Sequence, residues 1–353
     1  MSEKREFKIL SIDGGGIRGL YPTQYLACIE NGLKDRRIEG NLNEYFDLIC
    51  GTSTGGIIAI GLGLGMTATE LNKFYLDEAK KIFGWKFIPL FRSKYNNKRL
   101  ESLLKANFKQ KDSLKKEGEE KEDAKIWHSA TRLCIPAYNA YNGKVNVYKT
   151  CHDTKLHIDH KIPAYQVAMA TAAAPTYFNP YSINYMDGTN NINMPYNLDG
   201  GILANNPTMI GILEAVALGY SLSEIKVLSI GTCTRVYKEL EGRSRWGAMN
   251  YWLHPWNMRL LDMIFQAQSI AIEHQVKILN EGLGMGSGGL FKYQRIQHEF
   301  HSDEQAVKLD EGKTKKLNQL NQIAQEDYKE KGERTIELFF NKKVTPYTKH
   351  YTL

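Results

Sequence analysis

One pentapeptide, GTSTG at Gly51 to Gly55, constrains this chain more than any other stretch. Before it runs FDLICG (Phe46 to Gly51), a short apolar segment of the kind that forms a buried strand. After it comes IIAIGLGLG, which reads as a buried helix. The pentapeptide matches G-x-S-x-G, the turn in which small flanking residues let a strand reverse into a helix and present a serine hydroxyl. A plain tight Gly/Ser turn is the competing reading, and the strand–turn–helix setting favours the nucleophile. Ser53 is thus the candidate nucleophile, with Gly51 and Gly55 as the small residues of its elbow. Leu48 to Met66 carries no charge over 19 residues, but its six glycines and Thr-Ser-Thr make a membrane span a poor reading.

The same order occurs twice more. FKILSID (Phe7 to Asp13) runs into the glycines of IDGGGIRG (Ile12 to Gly19), and YPTQYLACIENGL follows with Leu26, Ile29 and Leu33 at helical spacing. YNLDGG ends a third strand pattern at Leu198 to Gly201, ahead of the helix pattern PTMIGILEAVALG. Between these lie a helix in TATELNKFYLDEAKKIF, with Thr69 in a capping position, and an amphipathic helix around RLESLLKANF. TRLCIPAYNA and KVNVYKT read as two strands joined at Asn142-Gly143, and IPAYQVAMATAAAP reads as a helix bounded by Pro163 and Pro175. KVLSIGT is another buried strand, and the chain beyond about Arg243 is mostly helical in pattern. Alternating strands and helices predict an α/β fold of three layers, α/β/α, around a central mostly parallel sheet. The length, 353 residues without an internal repeat or low-complexity linker, predicts one domain over 1–353. Its motifs fall within about 6–300, and a helical part follows at about 301–353.

Composition excludes several classes. With 42% hydrophobic residues, 13 Phe and 20 Tyr, the chain is not a disordered one. Lys and Arg outnumber Asp and Glu by 46 to 39, which suits an anionic surface or ligand. These charges are spread along the chain, which argues against a nucleic-acid polymer as partner. Five scattered cysteines with no CxxC pair form neither a disulfide framework nor a zinc site, and MSEKREFKIL lacks a signal-peptide core. The expected location is the cytoplasm.

Three strand ends carry the chemistry. Consecutive glycines at Gly14, Gly15 and Gly16 leave backbone N–H groups uncovered at the start of a helix, where an anion is favoured. Gly14, Gly16 and Gly19 also match a dinucleotide fingerprint, but Asp35, at the required distance, lies in the polar stretch KDRRIEGNLNEY and not at a strand end. A serine nucleophile needs a base for its proton and donors for the oxyanion. An elbow serine, glycine-rich donors and the carboxylate of Asp199 are the required parts.

With these motifs, the chain resembles the patatin-like phospholipases. IDGGGIRG matches the family's oxyanion motif, GTSTG its nucleophile elbow and LDGG its catalytic aspartate motif; ATAAAPTYFNP and VLSIGT resemble further family blocks. The resemblance implies a Ser–Asp dyad, with Ser53 as nucleophile and Asp199 as base. It implies an oxyanion hole from Gly14, Gly15 and Gly16 with Arg18 nearby, and no metal or organic cofactor. An aspartate that titrates near ~3.9 is a poor base at neutral pH, so burial has to raise it. The implied substrate is membrane phospholipid, reached by a peripheral membrane contact, for which WKFIPLFRSKY offers Trp85, Phe87, Ile88, Leu90 and Phe91 beside Lys86, Arg92 and Lys94. A cap packed over the core is the other reading of that segment.

The segment SKYNNKRLESLL and the lack of appended domains are similar to bacterial patatin-like effectors of anti-phage signalling. That likeness implies a cyclic nucleotide activator; a homo-oligomer is also compatible with it. A constitutive lipase is the competing reading. Two rivals to the dyad stay open. A Ser-His-Asp hydrolase would draw its imidazole from His254, His274, His298 or His301, and a non-catalytic lipid-binding module would keep only the fold. His152, His157 and His160 with Asp153 and Asp159 lack zinc spacing and read as a hydrophilic loop.

Overall fold

A computed structural model of the chain describes residues 6–83, 93–110, 121–235, 259–282, 290–302 and 304–353. In chain order the elements are β1 (Phe7–Ile12), α1 (Leu20–Asp35), β2 (Leu48–Gly51), α2 (Thr54–Gly63), α3 (Ala68–Phe83) and α4 (Asn97–Asn107). There follow β3 (Arg132–Asn139), β4 (Lys144–Lys149), α5 (Ala164–Thr171), β5 (Tyr181–Asp187), β6 (Asn190–Asp199), α6 (Gly201–Ala204) and α7 (Thr208–Ala217). The last are β7 (Ile225–Ile230), β8 (Thr234–Arg235), α8 (Arg259–Gly282), β9 (Lys292–Ile296), β10 (Glu299–Phe300) and α9 (Thr314–Phe339).

Seven strands lie in the order β5-β6-β3-β2-β1-β7-β9, with β4 also on β3. The five from β3 to β9 run parallel. Along them side chains alternate between faces, as a pleated strand requires. Leu10, Ile12, Ile49, Leu133 and Leu228 join one apolar cluster with α1 to α5 and α9. Phe7, Ile9, Leu48, Cys134 and Val227 join the other, with Ile212 of α7 and Val276 of α8. Both faces are covered by helices, which is why these strands read as unbroken apolar runs, and the expected α/β/α layering follows from that alternation.

The antiparallel edge positions the site. Ala137 pairs with Asn146 of β4 on one side and Asp199 of β6 on the other, while Cys134 pairs with Lys149 of β4 and with Cys50 of β2. Strands β2 and β6 therefore share one edge of β3. One is parallel to it and the other antiparallel, so they run towards each other and their C-terminal ends meet. Pro136, which has no N–H to offer, stands in the gap between them.

Several sequence expectations need correction. The hairpin β5–β6, turning at Gly188 (φ +61°), is absent from the pattern reading. The chain beyond Arg243 is not only helical, since β9 extends the main sheet beside β7. The C-terminal part is helical over Thr314–Phe339, and the residues that follow run irregularly. Its helix covers α1: Tyr21 Oη donates to Asp327 at 2.6 Å, and Tyr25 and Thr335 share a 2.7 Å bond. Lys8 Nζ donates to the carbonyls of Phe339 and Lys342 at 3.0 and 2.6 Å, closing the C-terminal end of α9. Helix α3 is capped by Thr67, not Thr69. The Thr67 hydroxyl accepts from the Glu70 amide at 3.1 Å, and the Glu70 carboxylate accepts from the Thr67 amide at 2.8 Å. Thr69 instead donates to Glu30. Replacing a cap of this kind by alanine typically costs about 0.5–2 kcal/mol. Thr67→Ala is expected to lower the unfolding free energy in urea by that amount with no change in the slope, and an unaltered midpoint would show the box contributes nothing.

Candidate active site

Ser53 stands at the head-on approach of β2 and β6. Its backbone has φ +55° and ψ −121°, a conformation that costs an L residue about 1–3 kcal/mol. The turn closes through Gly55 N–H to Thr52 O at 2.8 Å and Thr52 N–H to Ile12 O at 3.2 Å. The flanking glycines are steric necessities: a Cβ on Gly51 would sit 2.1 Å from Gly55 O, and one on Gly55 would sit 2.2 Å from Ile12 O. Both obstacles are backbone and cannot swing away.

The Ser53 hydroxyl donates to Asp199 Oδ2 at 2.6 Å. The other carboxylate oxygen, Oδ1, accepts from the Gly201 amide at 2.7 Å. Asp199 is fully buried. Burial pushes its pKa up to about 7, against the pull of the Ser53 and Gly201 hydrogen bonds. The expected upward shift of the carboxylate therefore has its physical cause in burial.

The glycine loop passes beside the serine. Gly14 donates its amide to Asn205 O at 2.9 Å, and Ile17 donates to Leu309 O at 2.8 Å. The Gly15 and Gly16 amides have no partner among the described residues, and both glycines line the pocket that holds Ser53 and Asp199. A Cβ on Gly15 would meet Thr232 Oγ1 at 2.1 Å, and one on Gly16, at φ +57°, would meet Leu309 O at 2.3 Å. Arg18 lies off this pocket. Its Nε donates to Gly15 O at 3.4 Å, and its side chain lines an adjoining cleft with Thr232 and Lys308. The serine pocket is walled by Ile57, Phe74, Leu100, Tyr177, Phe178 and Phe265. Its lining suits an alkyl chain leading to a polar floor.

The other candidates are elsewhere. His274 is exposed on α8, His298 lies 3.9 Å from Asp327, and His301 lines a separate surface cleft with it. His254 lies outside the described residues. His152 is bonded to Glu214 at 2.9 Å and to Thr150 at 2.7 Å; His160 stacks on Tyr351; His157 is exposed. Of the proposed membrane segment, Trp85 to Arg92 lies outside the described residues. Lys94 is buried and ion-paired with Asp310, so it is no interfacial base. No helix among the described residues is long and apolar enough to cross a membrane.

Two supports escaped the sequence reading. Arg295 of β9 forks onto Asp13 at 2.9 and 2.6 Å and anchors the start of the glycine loop. Leu309, in the segment before α9, braces the other end through its carbonyl. Neither has a local signal, since each acts across nearly the whole chain.

A strained serine on a βα turn, a buried carboxylate at 2.6 Å and an apolar pocket define a lipid acyl hydrolase. Residues 10–212 match the family model described as patatin-like phospholipase, more than half of the chain, and the chain belongs to that family. A cGAMP-activated phospholipase of Vibrio cholerae serotype O1 is 34% identical over 346 residues, covering 92% of each chain. A cGAMP-activated phospholipase of Escherichia coli strain TW11681 is 32% identical over 276 residues, 72% of this chain and 70% of that one. Patatin-like protein 2 of Arabidopsis thaliana is 29% identical over 309 residues, 78% of this chain and 72% of the plant protein.

Removing one member of a buried ion pair costs about 3–5 kcal/mol because its partner is left uncompensated. Arg295→Met, which strands Asp13, is expected to lose that much stability in chemical denaturation. A loss below 1 kcal/mol would mean the pair is not what anchors the loop.

Proposed function

We propose that the chain hydrolyses the fatty-acyl esters of membrane phospholipids with Ser53 as nucleophile and Asp199 as its only base. The observation that carries this reading is the direct 2.6 Å bond from the Ser53 hydroxyl to a buried carboxylate. Asp199 Oδ2 takes the Ser53 proton as Oγ attacks the ester carbonyl. The tetrahedral oxyanion accepts from the amides of Gly15 and Gly16, while Gly14 shapes the turn. Asp199 then returns the proton to the leaving alcohol oxygen, which departs as lysophospholipid. Water attacks the acyl-Ser53 ester, giving its proton to Asp199, which passes it to Ser53 Oγ as the fatty acid leaves, so that both residues are restored. Because both oxygens of Asp199 are already engaged, by Ser53 and Gly201, the dyad needs no imidazole between them. The whole chain, 1–353, works as one catalytic unit, because the glycine loop takes its braces from Arg295 and Leu309.

Asp199 acts only when ionised. Its raised pKa places the acid limb of kcat/KM near about 7, with a plateau above and loss of activity as pH falls through that value. Ser53→Ala and Asp199→Ala are each expected to remove nearly all release of fatty acid from liposomes, to a similar degree, because the two act as a unit. A substitution among His274, His298 and His301 as damaging as Ser53→Ala, or an acid limb at pH 4, would overturn the dyad.

The similarity to two cGAMP-activated phospholipases supports a second element: the enzyme is held inactive in the cytoplasm and a cyclic nucleotide releases it onto the membrane, as anti-phage signalling requires. Purified protein is expected to be nearly silent on liposomes until one nucleotide from a panel of cyclic di- and trinucleotides is added. Full activity without any of them, unaltered by their addition, would leave a constitutive lipase.

A further inference from the structure

We propose that Thr171 is the positioning residue that sets the distance between the nucleophile and its base. This rests on the reading of Ser53 and Asp199 given above. Thr171 closes α5 and is completely buried. Its hydroxyl oxygen accepts the backbone N–H of Ser53 at 3.0 Å. The same hydroxyl donates to Pro136 O at 2.6 Å, at the gap where β2 and β6 meet. Its own carbonyl accepts the Gly200 amide at 3.1 Å, and two residues on Ala173 O accepts the Asp199 amide at 3.0 Å. One residue thus holds the elbow, the strand both arms lean on, and the backbone that carries the base.

The direction of these bonds is fixed by chemistry. The hydroxyl has one proton, and Pro136 O takes it. Only lone pairs remain for Ser53, whose N–H is their complement. The contact also falls where the backbone has most reason to move, because Ser53 is held at positive φ. A buried N–H without an acceptor would pull that strained turn towards another conformation. The Ser53 hydroxyl would then shift relative to Asp199. The Thr171 methyl packs against α2, where a Cβ on Gly56 would come within 2.7 Å of it. Shape and hydroxyl are therefore separable by substitution.

Thr171→Val keeps the shape and removes the hydroxyl; Thr171→Ser keeps the hydroxyl and removes the methyl. Rates are measured on a soluble chromogenic ester, per site titrated with a fluorophosphonate, alongside thermal unfolding. A displacement of about 1 Å in a reacting group costs about 100-fold. Thr171→Val is expected to lower kcat by about 10- to 100-fold with KM within about twofold, and to slow fluorophosphonate labelling in parallel. Thr171→Ser is expected to stay within about threefold of the parent kcat, even where its melting temperature falls more. Equal losses of kcat in the two variants, or a fully active Thr171→Val, would overturn the role. So would a Thr171→Val chain that cannot fold, which makes the residue one of folding alone. Ser53→Ala on the same ester, with its rate taken per mole of protein because it has no serine to titrate, keeps the two readings apart: an active Ser53→Ala sinks the nucleophile itself, while a dead Ser53→Ala beside a fully active Thr171→Val sinks only this inference.

Discussion

Two strands running head-on along one edge of β3 are the constraint on which the rest of this molecule depends. Strand β2 delivers a serine to its C-terminal end and β6 delivers an aspartate to its own. Because they approach from opposite directions, the two side chains converge where neither strand can continue. A fully parallel sheet would place such residues on neighbouring strand ends, with a turn between them. Here the serine and the carboxylate come into direct contact, and the proposed proton transfer without a third group rests on that geometry. It also explains the turn chemistry. The chain has to leave the meeting point at once on both sides, through an elbow at Ser53 and through Gly200-Gly201 after Asp199.

The sheet ends hold two buried aspartates, both with pKa values pushed up by burial, but with different neighbours. Asp13 is matched by the Arg295 guanidinium, in a pair buried deeply enough to act as a fixed anchor. Among the described residues Asp199 has no cation against it, only hydrogen-bond donors, and burial lifts its pKa towards neutrality. A counter-ion like Arg295 beside Asp199 would favour the ionised form and make it a weaker base. The difference between structural and chemical carboxylate lies in what each was given as a neighbour.

What was legible in the sequence was local. The run FDLICGTSTGGIIAIGLGLG carries strand, turn and helix in one stretch, so Ser53 and its glycines can be read without knowing anything distant. The apolar runs of β1, β2 and β7 are equally plain because both faces of those strands are covered. What stayed hidden was either half-exposed or remote. Strands β5 and β6 alternate buried and open positions, and their polar residues mask the pattern. The cap of α3 was legible in principle, since Thr67 and Glu70 have capping-box spacing, but the neighbouring Thr69 competes for the same reading. Arg295 and Leu309 carry no motif at all, and Thr171 sits in the block ATAAAPTYFNP without a signal of its own, for their roles exist only once the sheet has brought distant segments together.

That remoteness has a consequence for how the protein is made. Asp13 and Arg295 are 282 positions apart, and Leu309 reaches back as far to Ile17. During synthesis Ser53 and Asp199 emerge well before either brace of the glycine loop. A nascent chain can therefore bring its serine and aspartate together while that loop is still unanchored. Anchoring of the glycine loop is thus a late step of folding during synthesis, since it waits for Arg295 and Leu309 to leave the ribosome.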